Sequence, residues 1–449
     1  MSYNILELIN KKKNKLEHSL DEINWLINNL SSIPDFQLSA WLMAVRLNGL
    51  SHRETAELTR AMAYSGHVLT LKRHDQACDI SGERKPSSRG FVDKHSTGGV
   101  GDKVTIVLSP LLAALGFKVS KFSGGALGHT GGTVDKLLSI PGFRVDIDIK
   151  AFERQIDEVG IALSGQNTDF APADKRLYAL RDLTATVDSI PLIASSVMSK
   201  KIAGGADIIL IDLKCGSGAF MKDLDSAKAL RDEILAISRE LNLDVKVLIS
   251  NMNEPLGYAV GNALEVYEAI RILEGELKND TYELVLELAS LLVDKQEVIS
   301  AIDSGKAYVK FDEWISAQGG DINLFKKTYK ASRELSCLAT EDAFVKEISC
   351  EKIGLIANQM AFGLDKAKSK AVDYSAGLTL NAKVGDEVKA GEPLFTIFSN
   401  DENCDLENLK EQILSAFTFS HSSINKPKIV LSSDLEQSGL ISRLLGIRI

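Results

Sequence analysis

From Ile5 to about Gly66 the apolar positions recur at the spacing of helices that bury one face: Ile5, Leu8 and Ile9, then Ile23, Leu26 and Ile27, then Leu38, Trp41, Leu42 and Val45. Ser19 precedes Asp21 and Glu22, and Ser51 precedes Glu54. Each serine therefore predicts a helix start at which its hydroxyl and the glutamate three residues on bond each other's backbone N–H. The run Lys11 to Lys13 reads as a solvated helix face. Beyond a polar stretch at 67–90, Phe91 and Val92 predict a short strand. Val104, Val107, Leu108, Leu111, Leu112 and Leu115 then predict a helix stopped by Gly116. Phe117 to Phe122 reads as a second strand, and Val134, Leu137 and Leu138 open another helix. The chain returns to helix between Ala171 and Gly205, with Ser189 and Pro191 at one start. Asp207 to Leu213 and Asp244 to Ile249 are buried strands by pattern, flanking a helix from Ala227 to Leu241. Such βα alternation predicts an α/β fold with a largely parallel sheet covered by helices, whose ligands lie beyond the carboxyl ends of the strands.

Two Gly/Ser/Thr loops fall at such strand ends. The first reads Lys94-His95-Ser96-Thr97-Gly98-Gly99-Val100-Gly101-Asp102, and the second runs from Ser123-Gly124-Gly125 to Thr130-Gly131-Gly132-Thr133. Glycines let backbone approach an anion, hydroxyls donate to it, and a following helix start aims free N–H groups at it. One such loop is a weak signal, because turns also need glycine. Two together point to an oxyanion cradle. Ser196 and Lys200, four apart, share one face of their helix.

These loops, with Ala171-Pro172-Ala173-Asp174-Lys175-Arg176, the stretch from Arg181 to Pro191 and Lys214-Cys215-Gly216-Ser217-Gly218-Ala219-Phe220, closely resemble the signature of the thymidine and pyrimidine-nucleoside phosphorylases. The resemblance runs over nearly the whole chain. It implies reversible phosphorolysis of pyrimidine (deoxy)nucleosides to free base and (deoxy)ribose 1-phosphate, by a cytoplasmic homodimer with no organic cofactor and inorganic phosphate as co-substrate. It also implies a discontinuous all-α domain (1–75 and 171–203) facing an α/β domain (90–165 and 206–337) across a cleft that closes, then a C-terminal α+β domain (338–449). Lys94, Ser96, Thr105, Ser123 and Thr133 match the family's phosphate ligands. His95, Arg181, Ser196 and Lys200 match the base-binding set, with His95, Arg181 and Lys200 catalytic and His95 the donor to base O2. Asp174, Lys175 and Arg176 read as structural. By position a potassium ion would be held at Gly101, Lys103, Leu256, Ala259 and Glu268, with Lys103 standing where the family has a hydroxyl residue. The family also has Arg and Gly at Gly125 and Ala126 and Glu at Leu138, so a mutual 125–138 charge pair is expected to be missing here.

At 449 residues the chain is long enough for two or three domains. Hydrophobic residues at 45% and charged ones at 25% mark a soluble globular class, with no run of membrane-spanning length and no signal-peptide plan at the amino terminus. A formal net charge of -9 argues against a nucleic-acid partner. Cys78, Cys215, Cys337, Cys350 and Cys404 are scattered without metal or disulfide spacing. The strands and Gly turns from Gly377 to Phe395 resemble biotin- and lipoate-carrying domains, but lack the flanked lysine at a hairpin tip and read as structural. The resemblance implies a thymidine phosphorylase-like enzyme and leaves open whether uridine is also accepted, and two rivals remain at this stage. One is an anthranilate-type phosphoribosyltransferase, although the pairs Asp157-Glu158 and Asp386-Glu387 sit away from the Gly loops. The other is a catalytically degenerate homologue.

Overall fold

The computed structural model describes residues 3–70, 89–125, 128, 130–165, 170–363 and 372–433. The polar loop at 73–88, Cys78 and Ala126 lie outside them. In chain order come α1 (Ile5–Lys13), α2 (Leu20–Asn28), α3 (Asp35–Asn48), α4 (His52–Ala63), β1 (Phe91–Ser96), α5 (Val104–Ala114), β2 (Lys118–Ser123), α6 (Thr133–Leu137), α7 (Ile149–Val159), β3 (Ile161–Gly165), α8 (Pro172–Leu183), α9 (Ile190–Ala203), β4 (Ile208–Cys215), α10 (Leu224–Leu241), β5 (Asp244–Asn251), β6 (Ala259–Val260) and α11 (Asn262–Leu273). Four further helices lie between Asp280 and Thr328, and an α+β segment follows. A six-stranded sheet has the order Val430–Ser433, β5, β4, β1, β2, β3. It is mixed: β2 and β3 run parallel with Val119 opposite Ile161, whereas Val430–Ser433 runs antiparallel to β5. Among the described residues no helix is long and apolar enough to cross a membrane.

The chain divides into two compact units, one comprising residues 1–95, 166–210 and 228–246. Its core gathers Leu8, Ile23, Leu26, Leu38, Trp41, Leu42 and Val45 from α1 to α3 with Leu58 and Met62 of α4, Leu177 of α8 and Leu192 of α9. Both expected capping boxes form, Ser19 with Glu22 and Ser51 with Glu54. Within the lysine run Lys13 is exposed, as a solvated face requires, and Lys12 departs from that reading. Lys12 is buried, with its ammonium 2.7 Å from Glu54 Oε1, and the same carboxylate oxygen lies 2.8 Å from His18 Nδ1. A long apolar stem lets lysine bury its chain when a carboxylate waits at the end.

The second unit comprises residues 96–165, 211–227 and 247–449. Here α5 is buried from Val104 to Leu112 and apolar there apart from Thr105 and Ser109, as suits a helix enclosed by other elements. The C-terminal strands form two small sheets. One pairs Pro393–Ser399 between Arg333–Leu338 and Gly377–Leu380, with β6 at its edge, and the other sets Ala343–Ile348 between Glu387–Val388 and Phe417–Ser420. Lys383, between these strands, is anchored by its ammonium to the carbonyls of Pro255 and Gly257 and to Asp280. That anchoring is a structural use of the hairpin region.

Candidate active site

Strand β1 delivers Lys94 buried and His95 and Ser96 half-buried at its carboxyl end. Ser96 Oγ donates to Asp102 Oδ2 at 2.5 Å and accepts from the Gly98 N–H at 3.3 Å. Asp102 Oδ1 takes the Val104 N–H at 3.2 Å, so one carboxylate ties the loop to the start of α5. Thr105 lies buried in the first turn of that helix, Ser123 at the end of β2, and Thr133 as the first residue of α6. The two Gly loops approach each other, because a side chain at Gly98 would begin 3.5 Å from Thr130 and 3.3 Å from Phe220. Glycine is required at 101 for two reasons: its φ is +70°, and a Cβ there would lie 2.4 Å from the Leu256 carbonyl oxygen.

Buried cations surround this loop. The Lys136 ammonium lies 2.7 Å from both the Asp102 carbonyl and Glu265 Oε2. Lys214, fully buried on β4, sits 2.8 Å from Asp212, and its backbone N–H donates to Thr97 Oγ1 at 2.8 Å. Burial opposes the Lys214 charge, yet Asp102 and Asp212 outweigh it and push the pKa up. Lys103 takes the place expected for an ion. Its ammonium donates to Leu256 O at 2.8 Å, Ala259 O at 3.1 Å and Glu268 Oε2 at 2.9 Å. A potassium ion among those oxygens would coincide with the ammonium, so Gly101, Lys103, Leu256, Ala259 and Glu268 come together but do not fit the ion.

In the first unit, α8 and α9 carry the remaining expected residues. Lys200 donates to Ser196 Oγ at 2.9 Å, as their i, i+4 spacing predicts, and to Asp174 Oδ2 at 2.6 Å. The Lys200 side chain is one-third exposed, whereas Asp174 is buried. Asp174 therefore pairs with Lys200 and not with its sequence neighbours Lys175 and Arg176. Arg176 instead binds Asp35 and the carbonyls of Leu30 and Ile33. Arg181 is buried with its guanidinium 5.7 Å from the Tyr178 ring centroid, and three of its donors are bound to the carbonyls of Thr186, Val187 and Leu192. Burial pulls its pKa down, opposed by Asp174 and Tyr178. Three of its five N–H groups are used in these bonds. Next to Lys94, Asp93 makes a buried pair at 2.8 Å with Lys201 of α9.

Residues 88–311 match the Glycosyl transferase family a/b domain, residues 6–66 the helical bundle domain of the same family, and residues 344–420 the pyrimidine nucleoside phosphorylase C-terminal domain. The pyrimidine-nucleoside phosphorylase of Geobacillus stearothermophilus is 44% identical over 443 residues, covering 95% of this chain and 98% of its own. That of Bacillus subtilis (strain 168) is 43% identical, covering 89% and 93%. The chain belongs to the pyrimidine-nucleoside phosphorylase family. Anthranilate phosphoribosyltransferase from Thermus thermophilus aligns with a TM-score of 0.52 at 17% identity, over 69% of this chain and 99% of that one. The latter likeness is one of fold. As a pyrimidine-nucleoside phosphorylase family member the chain is an enzyme of the glycosyl transferase type. Beside the residues expected from sequence, the geometry sets Asp102 against Ser96 and Asp174 against Lys200. Asp102 closes the first motif, and its place just before a helix start was the available signal.

Proposed function

We propose that the chain catalyses phosphate-dependent cleavage of pyrimidine nucleosides, uridine as well as thymidine, to free base and pentose 1-phosphate. The observation that carries this reading is the Lys200 ammonium held between Ser196 and Asp174 in a chain of this family that keeps all the expected phosphate residues. Lys94 supplies a fixed cation for phosphate, with hydroxyls from Ser96, Thr105, Ser123 and Thr133. A phosphate oxygen forms the new bond to C1′ as the C1′–N1 bond breaks, and the bonding pair leaves with the pyrimidine. Negative charge then appears on the ring nitrogen and carbonyl oxygens. Lys200 and the two remaining donors of Arg181 stabilise that charge as it develops, which is where binding energy accelerates a reaction. His95 donates to O2. Asp174 and Ser196 hold Lys200 extended and so position it.

The relatives' name, pyrimidine-nucleoside phosphorylase, is not limited to one pyrimidine nucleoside, which supports the broader substrate class. The reading includes a homodimer. Phe36, Met43 and Leu47 recur along one side of α3 and are all exposed, Phe36 by 74% and Leu47 by 73%, which is a costly surface for a monomer. The deciding experiment measures base release from thymidine, deoxyuridine and uridine with and without phosphate, beside transfer from a pyrophosphorylated ribose with Mg²⁺. Phosphate-dependent release is the expected result. Transfer without phosphorolysis would replace the reading, and binding without turnover would mark a degenerate homologue.

A further inference from the structure

We infer that the Lys103 ammonium is a resident monovalent cation, covalently supplied by the chain, which organises the first Gly loop in place of a bound potassium ion. The ammonium donates to two neutral carbonyls and one carboxylate, at 2.8, 3.1 and 2.9 Å, which uses all three of its N–H groups. Its side chain is wholly buried, and that of Glu268 is 5% exposed. Glu268 is itself saturated, accepting from the Tyr258 and Ala259 N–H groups and from Asn279 Nδ2. No space for a second cation lies beside it on the Gly257 side. A Cβ at Gly257 would fall 2.5 Å from Lys103 Nζ and 2.2 Å from Glu268 Oε1.

The same short segment is gripped by a second lysine. Lys383 donates to the carbonyls of Pro255 and Gly257, so lysine ammoniums satisfy the carbonyls of residues 255, 256, 257 and 259. This segment is in turn tied to the Gly loop, since the Leu256 N–H donates to Val100 O at 3.0 Å and the Leu256 carbonyl packs against Gly101. The Lys103 charge therefore sets where residues 100 to 102 lie. Potassium and an ammonium group are close in size and share a preference for carbonyl and carboxylate oxygens, but an ammonium on a side chain cannot dissociate.

The test uses the intact chain and needs no turnover, so its outcome is separate from that of the proposed reaction. Thermal unfolding and phosphate affinity are measured in KCl and in tetramethylammonium chloride at matched ionic strength, with thallium-205 NMR as a direct probe of a potassium site. The parent protein is expected to show the same unfolding midpoint and phosphate affinity in both salts, and no saturable thallium binding. Lys103→Ser removes the ammonium and offers an oxygen. In tetramethylammonium it should bind phosphate roughly tenfold more weakly, the loss of one charge-assisted contact. Potassium should restore it along a saturation curve, with one thallium bound. Lys103→Met, which supplies bulk without an oxygen, should not be restored. A saturable potassium or thallium response in the parent overturns the inference, as does a folded Lys103→Ser protein indifferent to potassium. If the serine variant fails to fold in both salts, the parent titrations decide, because saturable binding there is incompatible with a resident ammonium.

Discussion

The Asp174 carboxylate is buried while the Lys200 ammonium paired with it is partly exposed, so in the proposed reaction the acid would act by fixing where the cation points. Lys200→Ala is expected to lower kcat/KM for a pyrimidine nucleoside by roughly 10² or more, because a charge-assisted contact that strengthens as the base departs is lost. Asp174→Asn keeps the shape and weakens the grip. Its expected loss is about tenfold, mainly in kcat, with the fold intact by circular dichroism. Steady-state kinetics checks both, and an Asp174→Asn enzyme at parental rate would confine that pair to a structural role. Position 125 gives a second residue-scale result. A side chain there would start 3.2 Å from Asp135 Oδ2, so Asp135 is a carboxylate next to position 125. Gly125→Arg is expected to couple to Asp135 by roughly 0.5 to 1 kcal/mol in a double-mutant cycle. Ser196 with Lys200 was legible in the sequence because helix geometry fixes neighbours four apart. Asp174 with Lys200 was not, because only the turn between α8 and α9 makes residues 26 apart adjacent.

Glu54 joins three elements by capping α4 through Ser51, pairing with Lys12 of α1, and accepting from the His18 ring and backbone. Burial alone would raise its pKa. The His18 hydrogen bonds and Lys12 overcome that and lower it from the ordinary 4.5 to about 2. The carboxylate therefore stabilises the folded state above about pH 4.5, and this contribution is lost as pH falls towards 2. It amounts to on the order of 3 kcal/mol. Urea unfolding between pH 2 and 6 should show that acid limb in the parent and a flattened one in Glu54→Gln. The capping boxes were readable because both partners lie within one turn of sequence. The third role of Glu54 was not, since Lys12 and His18 reach it over 42 and 36 residues. The same limit hid the Lys103 contacts, which span 153 and 156 residues. Resemblance marked those positions as a cation site, and only the geometry shows which cation fills it.

At the scale of the molecule, periodicity revealed helices at the amino terminus and alternating βα units after Phe91, which suffices for the fold class. It carried no sign that 166–210 and 228–246 belong to the same compact unit as 1–95, since non-consecutive assembly leaves no local pattern. Two whole-molecule outcomes are expected. Sedimentation should give twice the 48.9 kDa chain, and replacing Phe36 and Leu47 with glutamate should give monomers, by placing charge on the exposed apolar side of α3. Phosphate at about 100 times its Kd should add roughly 2.7 kcal/mol to unfolding stability, with choline chloride at equal ionic strength as the blank.

Cys350 begins a helix in the second unit, and its sulfur occupies the space that a side chain at Gly218 would need, 2.1 Å from that Cβ position. Burial pushes the thiol pKa well up, so the reactive thiolate is suppressed twice, by access and by charge. Cys404 is half-exposed. A thiol reagent should therefore modify Cys404 before Cys350, whose labelling needs an opening that loosens its packing against Gly218. The ratio of the native labelling rate to that of the unfolded chain then gives the free energy of that opening. The chain thus carries its own clock for breathing of the Gly218 turn, readable by mass spectrometry from native thiols without an engineered label site.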